Sequence, residues 1–174
     1  MVYISLGVNC RPRKYIKSLG YSRTSGYKTC PFDLCVTPFP ALKKCIETDF
    51  AHFFENLSLI PGPNASGDRS LCGDGGVNIS NSYGMIFNHE GSTHSHLFID
   101  GTNDDEFYIR NNFAEFKKRY QVRIENFKEY IRCSDDIIFV FSKYPGVESD
   151  GSLDYICNVF SGKYPNKPFK YLLI

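Results

Sequence analysis

The sequence predicts an α/β fold, with α+β as the alternative: one layered domain over residues 1–174, with a central, largely buried sheet flanked by helices. The chain has about the length of a single domain. Segments with helical periodicity alternate with short runs of β-branched and aromatic residues. Residues 137–141 form a continuous apolar run, which is typical of a strand buried on both faces.

The first predicted elements are a strand, a tight turn and a helix. Residues 2–6 combine β-branched and aromatic side chains and end at Gly7, which predicts a short buried strand. Asn9 or Cys10 can cap the helix that follows, and Pro12 is tolerated there because the N–H groups of a first turn lack intrahelical partners. Cys10 is therefore expected at a strand-to-helix turn.

The middle of the chain is predicted to be rich in loops. Prolines punctuate residues 29–40. Residues 61–82 are rich in Gly, Pro, Ser and Asn, which predicts a long surface loop that could cover a site. Strands are expected at residues 83–87 and 97–99, so that His89 would lie just beyond a strand end.

The clearest helix is predicted over residues 111–133, where apolar residues recur at steps of three and four. Lys, Arg and Glu fill its other positions, and we expect that charged face to be solvated. Shorter helices are predicted at residues 41–47 and 153–160, and strands at residues 137–141 and 169–174.

Charge and composition exclude several classes of protein. With 20 Lys and Arg against 19 Asp and Glu, the net charge of +1 is too small for sequence-independent nucleic-acid binding, so we expect no nucleic-acid partner. No apolar run approaches the roughly 20 residues of a membrane-spanning helix, and the first residues do not resemble a secretory signal. We therefore expect no membrane attachment and a cytoplasmic location.

Cysteine usage agrees with that location. Seven Cys without a Cys-x-x-Cys pair favour reduced thiols over disulfides. Abundant Lys, Asn, Ile and Tyr indicate an AT-rich genome, bacterial or that of a large DNA virus. A viral source would place the protein in the host cytoplasm.

Cys10 is the first residue to consider for chemistry. A thiol at a strand-to-helix turn points at unsatisfied N–H groups and at the positive end of a helix dipole, which favours the nucleophilic thiolate. The alternative is a small buried side chain, as most intracellular cysteines are, and position alone favours that alternative.

A nucleophilic cysteine needs a base, and the chain has four histidines. His89, beyond a strand end, suits a ring that reaches across to another element. His94 and His96 lie two apart and, with His89 and Asp100, admit a metal site. A solvated polar turn is the favoured interpretation of that spacing, and we expect neither a metal nor a cofactor.

Several motifs occur together in a fixed order. The sequence Ser-Leu-Gly-Val-Asn-Cys-Arg-Pro is followed by Cys-Pro-Phe-Asp, an Asp-Phe pair before Phe-Phe, Phe-Asn-His-Glu, a basic helix and an apolar strand. In this order and spacing the chain resembles DUF1796, a family described as papain-like cysteine peptidases. Leu34 stands where the family usually has Trp, Glu90 where it usually has Asp, and Ser142 where a basic residue is common. The motifs occupy residues 5–12, 30–33, 49–54, 87–90, 118–124 and 138–140.

The resemblance implies a nucleophile and a base in a papain-like arrangement. We expect a thiol hydrolase (peptidase, isopeptidase or amidase) or an acyl transferase in which Cys10 attacks a carbonyl and His89 moves the proton. Asp33 or Asp100 would orient the imidazole. The Cys10 backbone N–H and the Asn9 side chain are expected oxyanion donors, although Asn9 could serve only as a helix cap.

The expected partner is a protein or peptide substrate, ubiquitin-like proteins included. A rival hypothesis keeps the fold without the chemistry: a non-catalytic module that binds a partner protein through its aromatic residues and residues 61–82. A less favoured rival is a His-rich metal-binding protein.

Overall fold

The computed structural model describes residues 1–61, 77–90, 111–143 and 150–174. Helices and strands are mixed, with one parallel and one antiparallel sheet, which confirms the α/β class. The elements are β1 (Val2–Ser5), α1 (Arg11–Ser18), a 3₁₀ turn (Arg23–Ser25), α2 (Phe39–Glu47), β2 (Ser58–Pro61), β3 (Val77–Ser80), β4 (Ile86–Phe87), α3 (Ala114–Cys133), β5 (Ile137–Phe141), α4 (Asp150–Lys163) and β6 (Phe169–Leu173).

The parallel sheet has the strand order β1-β5-β6. Val2 of β1 is paired with Ile137 of β5, and Phe139 of β5 with Tyr171 of β6. β5 is the central strand and covers the residues for which a buried strand was predicted. Its apolar run is explained by burial on both faces.

Helices cover both faces of this sheet. Because side chains alternate along a strand, Val140 points to one face, where it packs with Ile16 of α1 and Tyr27. Phe139 and Phe141 point to the other face and join the main core, to which α2, α3 and α4 contribute. The expected central sheet flanked by helices is therefore present.

The antiparallel sheet has the order β2-β3-β4 and corrects part of the sequence analysis. β3 lies within residues 61–82, for which only a loop was predicted. Its Val-Asn-Ile-Ser sequence alternates, and the buried Ile79 pairs with Leu59 of β2. The composition of residues 61–82 concealed this strand, because the neighbouring glycines dominate the segment. Residues 62–76 lie outside the described residues, as does the strand predicted at 97–99.

Several predicted boundaries also move, and α4, for example, spans Asp150–Lys163 rather than residues 153–160. α3 begins at Ala114 rather than at residue 111, because Asn112 and Phe113 adopt positive φ values of 50° and 55°, which end helical backbone geometry. β4 has two residues rather than the five predicted, and Ile86 forms backbone hydrogen bonds with Val36 on its other side. In the described part of the chain, no helix combines the length and apolarity needed to cross a membrane.

Candidate active site

The turn between β1 and α1 is anchored to two other segments. The Leu6 amide donates to a carbonyl of β5 at 3.0 Å, and the Gly7 carbonyl accepts from the amide that follows β5 at 3.2 Å. The Thr37 amide donates to the Val8 carbonyl at 2.8 Å. Gly7 has a φ of +100°, and a Cβ there would lie 3.2 Å from the Cβ of Thr37. The turn therefore requires glycine and holds the following residues in a fixed place.

Asn9 performs the capping that the sequence predicted for Asn9 or Cys10. Its Oδ1 accepts from the Arg11 amide at 2.9 Å and from the Ser142 hydroxyl at 3.3 Å. Cys10 itself occupies the N-cap position without a side-chain capping bond. Because the carbonyl oxygen of Asn9 is used in this way, its amide nitrogen is the end that could serve an oxyanion.

Cys10 differs from the buried thiols of the core. Cys30, Cys35, Cys45 and Cys157 are buried, whereas Cys10 is half-buried at the start of α1. Burial raises the pKa of Cys35 to about 12 and that of Cys157 to about 11, so these thiols stay protonated at neutral pH. Cys133 is exposed at the C-terminal end of α3, and Cys72 lies outside the described residues.

His89 is positioned by the residues on either side of it. Phe87 ends β4 in the core, and the Glu90 amide donates back to the Phe87 carbonyl at 3.1 Å. Glu90 is buried, with 1% of its surface exposed. His89 between them is half-buried. A core strand and a buried carboxylate thus fix the turn that carries the imidazole.

Cys10 and His89 line the same cleft, which has a volume of about 720 Å³. This size falls within the range of small-molecule and cofactor sites. Leu34 also lines the cleft. The two residues predicted as nucleophile and base, which are 79 positions apart in the chain, therefore line one cleft.

Glu90 is the centre of a network that the sequence analysis missed. Its carboxylate is 3.2 Å from Nη1 of Arg119 and 3.1 Å from Nη2 of Arg123, both on α3. Burial raises the pKa of Glu90, and the two guanidinium groups oppose that rise. The prediction of a solvated charged face on this helix is wrong for Arg123, which is 5% exposed. The sequence signal for this network was the spacing of the two arginines, which lie four positions apart and so share one side of the helix.

Asp33 is fully buried behind one wall of the cleft. It accepts from the Tyr27 hydroxyl at 3.2 Å and from the Cys30 amide at 2.8 Å, and its Oδ2 lies 3.7 Å from Nε of Arg13. Burial raises the pKa of Asp33 to about 6. These contacts fix Arg13, which lines the cleft. The role of Asp33 in orienting His89 stays a prediction.

The remaining expected site residues lie outside the described part of the chain. They are Asp100, the alternative orienting residue, and His94 and His96 of the metal-site alternative. Across the described ranges, no three His, Cys, Asp or Glu side chains are grouped so as to hold a metal ion.

Comparison with protein families gives a match over most of the chain. The model of the family described as "Putative papain-like cysteine peptidase (DUF1796)" matches residues 1–148. The match includes the turn that carries Cys10, the turn that carries His89 and helix α3. No curated protein and no solved structure is similar enough to the chain to match.

Proposed function

The chain belongs to the DUF1796 family, and on that premise we propose that it is a papain-like thiol hydrolase or acyl transferase that uses a Cys10–His89 pair. The hydrolase would be a peptidase, an isopeptidase or an amidase. The observation that carries the proposal is that Cys10 and His89 line one cleft. Burial removes Cys30, Cys35 and Cys157 from consideration as nucleophiles.

In the proposed reaction, His89 takes the proton of the Cys10 thiol and the sulfur attacks the carbonyl carbon of the substrate. A carbon–sulfur bond forms while the carbonyl electron pair moves to the oxygen. When the intermediate collapses, the bond to the leaving group breaks and the imidazolium gives its proton to that group. Water, or the acceptor in a transferase, then attacks the thioester and restores the thiol.

The negative oxygen of the intermediate needs hydrogen-bond donors. We propose the Cys10 backbone N–H and the Asn9 Nδ2 amide for this role, because the other end of the Asn9 side chain is held by the cap. Loss of one such donor typically costs about 2.7–4 kcal/mol of barrier.

The proposed substrate is a protein or peptide, and the proposed location is the cytoplasm, that of the host if the source is viral. The six described cysteines are free, which suits a reducing compartment.

The test is covalent labelling with electrophilic acyl probes at neutral pH. The panel holds peptide probes, ubiquitin-based probes and small amide analogues, and mass spectrometry locates the adduct. We expect an adduct on Cys10 in the wild type and none at that position in Cys10→Ala. The matched control is Cys133→Ala, which removes the exposed thiol at the end of α3 and should leave the labelling of Cys10 unchanged.

Equal labelling of wild type and Cys10→Ala would overturn the assignment of the nucleophile. If every probe fails to label Cys10 while iodoacetamide modifies Cys10 and Cys133 at equal rates, the non-catalytic interaction module becomes the better account. The probe that reacts fastest identifies the substrate class.

A further inference from the structure

Positive charge is concentrated in the cleft that contains Cys10 and His89. The whole chain carries a net charge of only +1. Glu90 is the one acidic residue among the described residues that line this cleft. Six others are basic: Arg13, Lys14, Lys17, Arg23, Arg119 and Arg123.

Internal ion pairs neutralise only part of this charge. Arg119 and Arg123 share the carboxylate of Glu90, and Arg13 lies against Asp33.

Lys14, Lys17 and Arg23 have no ion-pair partner in the part of the chain that the structure describes. Lys14 and Lys17 are exposed and lie three positions apart on α1, so that they share one side of the helix. The cleft therefore keeps a positive field that a ligand could use.

Arg123 adds a donor at the cleft wall. It is 5% exposed, and its Nη2 contacts Glu90 at 3.1 Å. Its Nη1 is buried and has no hydrogen-bond partner within the described ranges. A buried donor without a partner is costly, so this guanidinium favours an anionic oxygen close to the cleft wall.

The basic surface continues beyond the thiol. An adjoining depression of about 820 Å³ shares Arg23, Thr29, Arg119 and Arg123 with the cleft and adds Lys118. Glu115 is the acidic residue among the described residues that line this depression, so that cations outnumber it along a ligand extending from Cys10.

We propose that this cleft selects a substrate that carries carboxylate or phosphate groups next to the carbonyl that Cys10 attacks. The inference rests on the proposed function for the identity of that carbonyl. The selection itself rests on the basic side chains, and it can be measured whether or not His89 acts as the base.

The experiment compares two alkylating agents of nearly equal size, anionic iodoacetate and neutral iodoacetamide. The ratio of their rates at Cys10 is measured by peptide mapping, with Cys133 in the same sample as internal reference. We expect the iodoacetate to iodoacetamide ratio to be about fivefold or more higher at Cys10 than at Cys133. Raising the salt concentration from 0.05 to 0.5 M should reduce that difference, because salt screens exposed charges.

Matched variants separate a local effect from net charge. Lys14→Gln with Lys17→Gln should lower the rate ratio at Cys10 at least twofold. Lys44→Gln with Lys170→Gln removes two exposed lysines outside the cleft and should leave the ratio unchanged. Equal ratios at Cys10 and Cys133 that do not respond to salt would overturn the proposal. If the ratio is raised but His89→Gln leaves alkylation unchanged, the proposed function fails while the anionic selectivity stands.

Protection of Cys10 against iodoacetamide shows whether the cleft prefers carboxylate or phosphate groups on its ligand. A hexaglutamate peptide and inorganic phosphate are added separately, in a buffer free of other multivalent anions. Protection by hexaglutamate alone assigns carboxylates of an acidic peptide, and protection by phosphate assigns phosphate groups. Protection by neither contradicts the proposal.

Discussion

At the residue scale, the two ends of the Asn9 side chain have different tasks. Its oxygen caps α1 and accepts from Ser142, whereas its nitrogen is the proposed oxyanion donor. The sequence motif could not separate these tasks, because a capping residue and an oxyanion donor are both polar residues before a helix. The separation depends on which end of the Asn9 side chain faces the Arg11 amide, and that is a property of the folded structure.

Two variants of Asn9 test whether the oxygen and the nitrogen of its side chain have these separate tasks. Asn9→Asp keeps an oxygen for the cap and loses the amide donor, so we expect little change in stability and a fall of about 10²–10³-fold in the rate of Cys10 acylation. Asn9→Ala should also lose about 1 kcal/mol of unfolding free energy. Urea denaturation and the rate of acylation by the best probe measure the two effects. An unchanged acylation rate in Asn9→Asp would leave Asn9 as a cap alone.

The pKa of Asp33 leads to a second prediction at this scale, on how the unfolding free energy depends on pH. Its folded pKa of about 6 lies above its ordinary 3.8, so the folded state binds this proton more tightly than the unfolded state. The stability that protonated Asp33 contributes is complete below pH 4 and is lost as the pH rises through 6. In Asp33→Asn this loss is absent. The unfolding free energy of the variant minus that of the wild type should therefore rise by about 2 kcal/mol between pH 4 and 7.

Urea denaturation at several pH values measures that difference. A difference that stays constant across this range would show that Asp33 has an ordinary pKa in the folded protein.

At the scale of elements, local pattern was sufficient for some segments and insufficient for others. β5 and α3 were predictable because an apolar run and a helical period are properties of adjacent residues. β3 was missed because its strand character depends on pairing with β2 and β4. The Glu90 network was missed for the same reason, since it joins residues about 30 positions apart.

Because of this network, we predict that neutralising two different glutamates lowers the unfolding free energy by unequal amounts. Glu90→Gln leaves two buried or half-buried arginines without their carboxylate, and we expect a loss of about 3–5 kcal/mol of unfolding free energy. Glu129→Gln breaks the exposed pair with Lys28 and should cost less than about 1 kcal/mol. Urea denaturation of both variants makes the comparison. Equal costs would mean that Glu90 does not hold the His89 turn against α3.

At the scale of the whole molecule, the last residues belong to the central sheet and to the core although they lie beyond the family match. The match ends at residue 148, before α4 and β6. β6 pairs with β5 along the central sheet. Phe160 of α4 lies 5.1 Å from Phe139 of β5 and 5.5 Å from Phe169 of β6, measured between ring centroids.

We therefore expect Phe160→Ala to cost about 3–5 kcal/mol of unfolding free energy, as truncation of a buried aromatic ring does. The control is Asn158→Ala, an exposed position on the same helix, which should change stability by less than about 0.5 kcal/mol. Guanidinium denaturation of the two variants is the measurement. A cost below about 1 kcal/mol for Phe160→Ala would show that α4 is not part of the core.

The fold brings Cys10 and His89, which lie 79 positions apart in the chain, to one cleft, and proton transfer between these two groups is central to the proposed function. The most direct test is the pH dependence of Cys10 alkylation by iodoacetamide in the wild type and in His89→Gln. We predict that the wild type reacts about tenfold or more faster than His89→Gln between pH 6 and 7, because only the wild type has the imidazole that takes the proton of the thiol. Two coincident profiles would contradict the account.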